Sequence, residues 1–283
     1  MVVAAAGKSK AAPAAKASAK AAPAKPERCD GIELSQQLGS TKNGALDDLV
    51  ARFNETSKEC QIKVTERNWS EGSLPAMMIL GGEEEERFLT GAPRYRPLFD
   101  LMKASGEPLQ TLKPPAMMTR RPLDAQGRVL ALPVALSTPV LYFNEDAFKK
   151  VGLNPDQPPK TWLELQEALG QLIDNGVRCP YTVTYPAQIM IENTSAWHNE
   201  PVAVKQGKGQ ALAINGFLQI KHVAMMSSWY KSKYLHIFGR GAEAEQHFLS
   251  GECAVIAAPS SDWPDFRRQA RFPVGVSTLP YHD

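Results

Sequence analysis

Beyond Cys29 the chain alternates short apolar runs with stretches of helical periodicity, and this alternation points to an α/β fold with a largely parallel sheet. Runs over 32–34 and 60–65 suit strands, and Ala76-Met77-Met78-Ile79-Leu80 is continuously apolar, as a strand buried on both faces requires. Leu46, Leu49, Val50 and Phe53 recur at helical spacing and predict an amphipathic helix between the first two strands. A short helix is expected over 97–102, then strands over 129–135 and 139–143. Thr161 and Glu164 have the spacing of a capping box, followed by one apolar stripe of Trp162, Leu165, Leu169, Leu172 and Ile173, with Gly176 as the stop. Helices over 217–229 and 242–249, strands over 253–257 and 273–279, and a short helix from Ser260 or Ser261 complete the pattern.

The first 28 residues break it. They hold five Lys, Arg28 and only Glu27, a net of +5, so the +2 of the whole chain leaves about −3 for the remainder. Lys-Ala-Ala-Pro-Ala occurs at Lys10 and again at Lys20, and nothing large is available to bury, which predicts a disordered tail over 1–28. Val2-Val3-Ala4-Ala5-Ala6 is shorter than the ~7–15-residue apolar core of a secretory leader. A weakly acidic body gives no basic surface for nucleic acid, so a nucleic-acid partner is not expected.

Cysteines stand at 29, 60, 179 and 253, without a C-x-x-C pair. Four independent buried thiols and disulfide pairing are both open. Cys29 and Cys60 lie at the starts of two strands that a βαβ unit places parallel, a geometry suited to a disulfide and to an oxidising compartment. Cys179 and Cys253 have a similar placement at strand starts. No phosphate loop, dinucleotide fingerprint, nucleophile elbow or H-E-x-x-H helix occurs, and the five histidines lack metal spacing. A binder is expected, with no catalytic residue, metal or cofactor.

The stretch STPVLYFNEDAFKKVGLNPDQPPKTW over 137–162 resembles the periplasmic glycerol-3-phosphate-binding proteins of ABC importers. Asn175-Gly176, Val177-Arg178-Cys179, Glu192-Asn193-Thr194-Ser195-Ala196-Trp197, His222-Val223-Ala224-Met225 and Gly251-Glu252-Cys253-Ala254 extend the resemblance. It is strong over about 128–283 and fainter over 32–107. It implies a periplasmic-binding-protein-like fold of the two-lobed, type II kind, with a reduced first lobe over 29–136 and a nearly complete second lobe over 137–283. It also implies a periplasmic location, non-catalytic capture by lobe closure, and the membrane subunits of an importer as partners.

Carried over residue by residue, the resemblance implies ligand contacts at Trp69, Glu83, Ser137, Trp162 and Ser260. Trp69 stands where the family has tyrosine, Pro259-Ser260 replaces a serine pair, and the first-lobe helix between Trp69 and Pro75 is shortened. The family continues past the position of Asp283 into segments that supply an arginine. Losing that guanidinium and one or two hydroxyl donors, at about 1.5–3 kcal/mol each, would take a micromolar binder to about millimolar. Glu83-Glu84-Glu85-Glu86 would further oppose a phosphate. The alternative expectation is therefore a relative that has lost ligand capture and serves within a protein assembly.

Overall fold

The computed structural model describes residues 2–5, 29–36, 44–57, 59–66, 73–81, 85, 88–89, 94–106, 123–124, 126–207 and 209–283. The chain divides into two compact units, Met1–Leu136 and Ser137–Asp283.

In the first unit a five-stranded sheet runs in the order β3-β2-β4-β1-β5. Its strands are β1 (Val2–Ala5), β2 (Cys29–Gln36), β3 (Cys60–Thr65), β4 (Met77–Ile79) and β5 (Tyr95–Arg96). β2 pairs parallel with β3 and β4, whereas β1 runs antiparallel to both β4 and β5. β1 falls inside the segment expected to be a tail. It is the only apolar run there, and its β-branched Val2 and Val3 suit a strand between two neighbours; residues 6–28 lie outside the described residues.

Helix α1 (Gly44–Thr56) joins β2 to β3, and α2 (Leu98–Ser105) follows β5. The expected stripe on α1 is only partly used, because Leu49 is 58% and Phe53 43% exposed. Met78, Leu80, Phe88, Tyr95 and Ala131 form the core of this unit. The strand expected over 129–135 does not form: Val129 makes an isolated bridge to Leu123 and Leu132 lies in another single bridge, with no ladder through these residues. Pro133 removes a ladder donor from the run.

The second unit builds its sheet in the order β10-β7-β11-β6-β12. These are β6 (Pro139–Asn144), β7 (Cys179–Val183), β10 (Leu235–His236), β11 (Cys253–Pro259) and β12 (Val274–Thr278), with β8 (Ala203–Gln206) and β9 (Gly209–Leu212) forming a separate hairpin. β7 is parallel to β10 and β11, and β6 is antiparallel to β11 and β12. Alternate residues feed two cores. Leu141, Phe143, Val255 and Ala257 meet Leu165, Leu169 and Leu172 of α4 (Trp162–Asp174) and Trp229 of α6 (Phe217–Lys231). Tyr142, Ile256 and Ala258 meet Phe248 of α7 (Ala244–Leu249) and Phe266 of α8 (Trp263–Gln269). Covering on both faces is what makes β11 apolar along its length.

The cap predicted for α4 is present in full: the Thr161 hydroxyl accepts from Glu164 N–H, and the Glu164 carboxylate accepts from Thr161 N–H at 3.0 Å. Gly176, at φ 86°, ends the helix in the left-handed region, with Val177 N–H returning to Leu172 O at 3.0 Å. Short helices α3 (Glu145–Lys150) and α5 (Thr194–Trp197) complete the unit, α5 being preceded by a π-helical turn, Ala187–Asn193. Cys179 and Cys253, opposite one another at the starts of β7 and β11, are joined by a disulfide. Cys60 is also disulfide-bonded and lies opposite Cys29 in the β2–β3 register; the Cys29 side chain lies outside the described residues.

Candidate functional site

β6 begins where β11 ends, because Pro139 and Pro259 are register partners. This antiparallel match brings the residues before one strand onto the residues after the other, at the carboxyl end of β11. That edge is where open α/β sheets present loops to ligands. Two serines lock the corner. Ser137 Oγ accepts from Ser261 N–H at 3.1 Å, and Ser260 Oγ accepts from Thr138 N–H at 3.1 Å. Ser260 N–H donates to Thr138 O at 2.8 Å, and the two hydroxyl oxygens stand 3.5 Å apart.

Each serine oxygen thus already accepts a backbone N–H, which leaves its own proton to donate. Ser137 is exposed and Ser260 half-buried, so the pair offers hydroxyl donors to an oxygen-rich solute. Behind it the Tyr142 hydroxyl donates to Pro259 O at 3.0 Å, and the Tyr142 ring stacks on Trp263, with centroids 6.2 Å apart. Burial, reinforced by the carboxylates of Asp262 and Glu245, pushes the Tyr142 hydroxyl well above its ordinary range, so it remains a donor. Thr138, Ser261 and Trp263 were not singled out in the sequence. The antiparallel return that brings Ser261 to Ser137 depends on a pairing between residues far apart in the chain.

Of the five residues expected to contact ligand, the structure brings together Ser137 and Ser260. Trp162 is 3% exposed, and its ring contacts are with His222, Trp229 and His282 within the core of the second unit. Trp69 and Glu83 lie outside the described residues, and the acidic run is described only at Glu85. Among the described residues, no group of three or more His, Cys, Asp or Glu is placed to hold a metal ion. No described helix is long and apolar enough to cross a membrane.

Two sheets, each mainly parallel with a single antiparallel strand in the fourth position, and a polar corner at the strand ends define a two-lobed α/β binding-protein fold. The family described as bacterial extracellular solute-binding protein matches residues 39–281, and the chain belongs to that family. It is 44% identical over 159 residues to the sn-glycerol-3-phosphate-binding periplasmic protein UgpB of Yersinia enterocolitica, covering 55% of this chain and 36% of that protein. To the protein of the same name from Escherichia coli strain K12 it is 32% identical over 253 residues, covering 83% of this chain and 58% of the relative. The chain thus spans between about a third and three-fifths of the length of these relatives. Among solved structures it resembles UgpB of Mycobacterium tuberculosis in complex with glycerophosphocholine, with TM-score 0.67 and 18% identity over 89% of this chain and 68% of that one. It also resembles maltose-bound MalE3 of T. maritima, with TM-score 0.61 and 16% identity over 89% of this chain and 68% of that chain. At such identities the likeness is one of fold.

Proposed function

We propose that this chain takes part in non-catalytic capture of a glycerol-3-phosphate or glycerophosphodiester solute in the periplasm, for delivery to the membrane subunits of an ABC importer. The observation that carries the reading is the Ser137–Ser260 corner. It supplies one exposed and one half-buried hydroxyl at the carboxyl end of β11, in a chain similar to proteins named for binding sn-glycerol 3-phosphate. Phosphate and polyol oxygens are acceptors that such donors satisfy, and hydrogen bonds to a charged oxygen contribute about 1.5–3 kcal/mol each. Two hydroxyl donors by themselves support an affinity on the order of millimolar. Ser137 and Ser260 contact the solute in this reading, whereas Trp162 supports the α4 start from within the core.

Titration of the isotopically labelled full chain with sn-glycerol 3-phosphate, followed by amide resonances, tests it. The expected result is saturable shifts at Thr138, Ser260 and Ser261, reduced in Ser137→Ala, with glycerol and inorganic phosphate giving smaller responses. An unresponsive corner at ~50 mM solute, well above the affinity expected from two donors, would overturn the reading.

A further inference from the structure

Three of the five histidines of the chain, far apart in sequence, converge at one end of the second unit. His198 follows α5, His222 lies on α6, and His282 belongs to the segment after β12. The His222 and His282 rings meet edge-on, with Nδ1 of His222 2.9 Å from Nε2 of His282. The backbone N–H of His282 donates to Nε2 of His198 at 3.1 Å. His222 is 1% exposed, its Nε2 has no hydrogen-bond partner, and its ring lies against Trp162.

These bonds depend on protonation state. A ring nitrogen that accepts an N–H carries no proton, so Nε2 of His198 must be bare and a proton there breaks the bond. Between His222 and His282 one nitrogen donates and the other accepts, so the contact holds a single proton. A second proton sets two N–H groups face to face. The same segment is tied to the start of α4 by backbone bonds, Tyr281 N–H to Lys160 O at 3.0 Å and Trp162 N–H to Tyr281 O at 3.1 Å, and it is anchored just before them by Leu279, buried in the core.

We propose that His198, His222 and His282 form a pH-dependent clasp that holds residues 281–283 against α4 and α6 when neutral and releases them when protonated. The electrostatic surroundings favour the neutral form. Burial first, then the charges of His282 and His198, push His222 down to about 3. Burial, Lys221 and His198 push His282 down to about 4 against the opposing charge of Asp283. Burial and Lys221 lower His198, with Glu200 opposing. Lys221 comes from α6, Glu200 from beyond α5 and Asp283 from the clasped segment; α4 presents the neutral indole of Trp162.

The direction follows from proton linkage. An imidazole whose pKa is depressed in the closed state refuses protons that the open state accepts, so opening becomes easier as pH falls below ~6.5. Each such imidazole contributes up to about tenfold per pH unit. His222 and His282 together therefore predict about a 100-fold rise in the opening constant between pH 7.5 and 5.5.

Hydrogen exchange of the His282, Tyr281 and Trp162 amides in the full chain, corrected for intrinsic rates, measures that constant. A rise of this size in the wild type, cut about tenfold in His222→Gln, would support the clasp. A pH-independent wild type, or an unchanged dependence in His222→Gln, would overturn it. Should that variant fail to fold, titration of the wild-type histidine ring protons decides: His222 or His282 titrating above pH 6 with the segment still protected would sink the proposal.

Discussion

Gly275 faces Phe143 across the β6–β12 ladder, and the ring lies over the glycine so closely that an added Cβ would collide with its carbons. Phe143 is 1% exposed and stacks on Phe148, so it cannot swing into solvent. Gly275→Ala is expected to destabilise the second unit by about 1–3 kcal/mol, as overpacked cores do. Urea unfolding would measure it, and pairing the change with Phe143→Leu should recover part of the loss; an additive double variant would show that the ring is not the cause. Nothing in the sequence around Gly275 announces this fit, since the partner lies on a strand far earlier in the chain. Trp162 was legible as the first residue of a packed stripe, but a motif alone leaves open whether an indole meets ligand or core. Its closure among His222, Trp229 and His282 depends on tertiary neighbours. Ser137 and Ser260 were legible only through resemblance, and their hydrogen-bonded geometry was not.

At the scale of elements, the strong local signals were reliable. The capping box of α4 and its glycine stop were read from three positions, Thr161, Glu164 and Gly176, and appear as read, because both are short-range chemistry. What escaped were elements without a local signature. β10 is two residues long, and β1 looked like part of a tail; each is a strand because a neighbour pairs with it. The Cys179–Cys253 disulfide spans 74 residues and joins β7 to β11 at their starts. Replacing both cysteines with alanine should cost about 2–4 kcal/mol, chiefly through a less restricted unfolded chain. Denaturation of the second unit, followed by the buried Trp162 and Trp229, would register the loss; an unchanged midpoint would show that ladder packing alone fixes the two strands.

At the scale of the molecule, the described parts of the two units differ in how much they bury. Among the described residues, the second has two extended cores on either face of its sheet, whereas the first has one small cluster around Met78, Phe88 and Tyr95. Limited proteolysis is expected to leave a fragment beginning near Ser137 after the first unit is degraded, because cleavage follows local opening. Equal survival of both units would contradict that ordering. The strand order of the second unit has a further consequence, for synthesis. β11 is the strand that joins β6 to β7, yet it follows both in the chain and so leaves the ribosome after them. Until it emerges, β6 and β7 have no common neighbour and their apolar faces and backbone edges stay open. The second unit of a nascent chain is therefore expected to stay unfolded until β11 has emerged, the state in which holding chaperones bind and in which a polypeptide can still be threaded through a narrow pore.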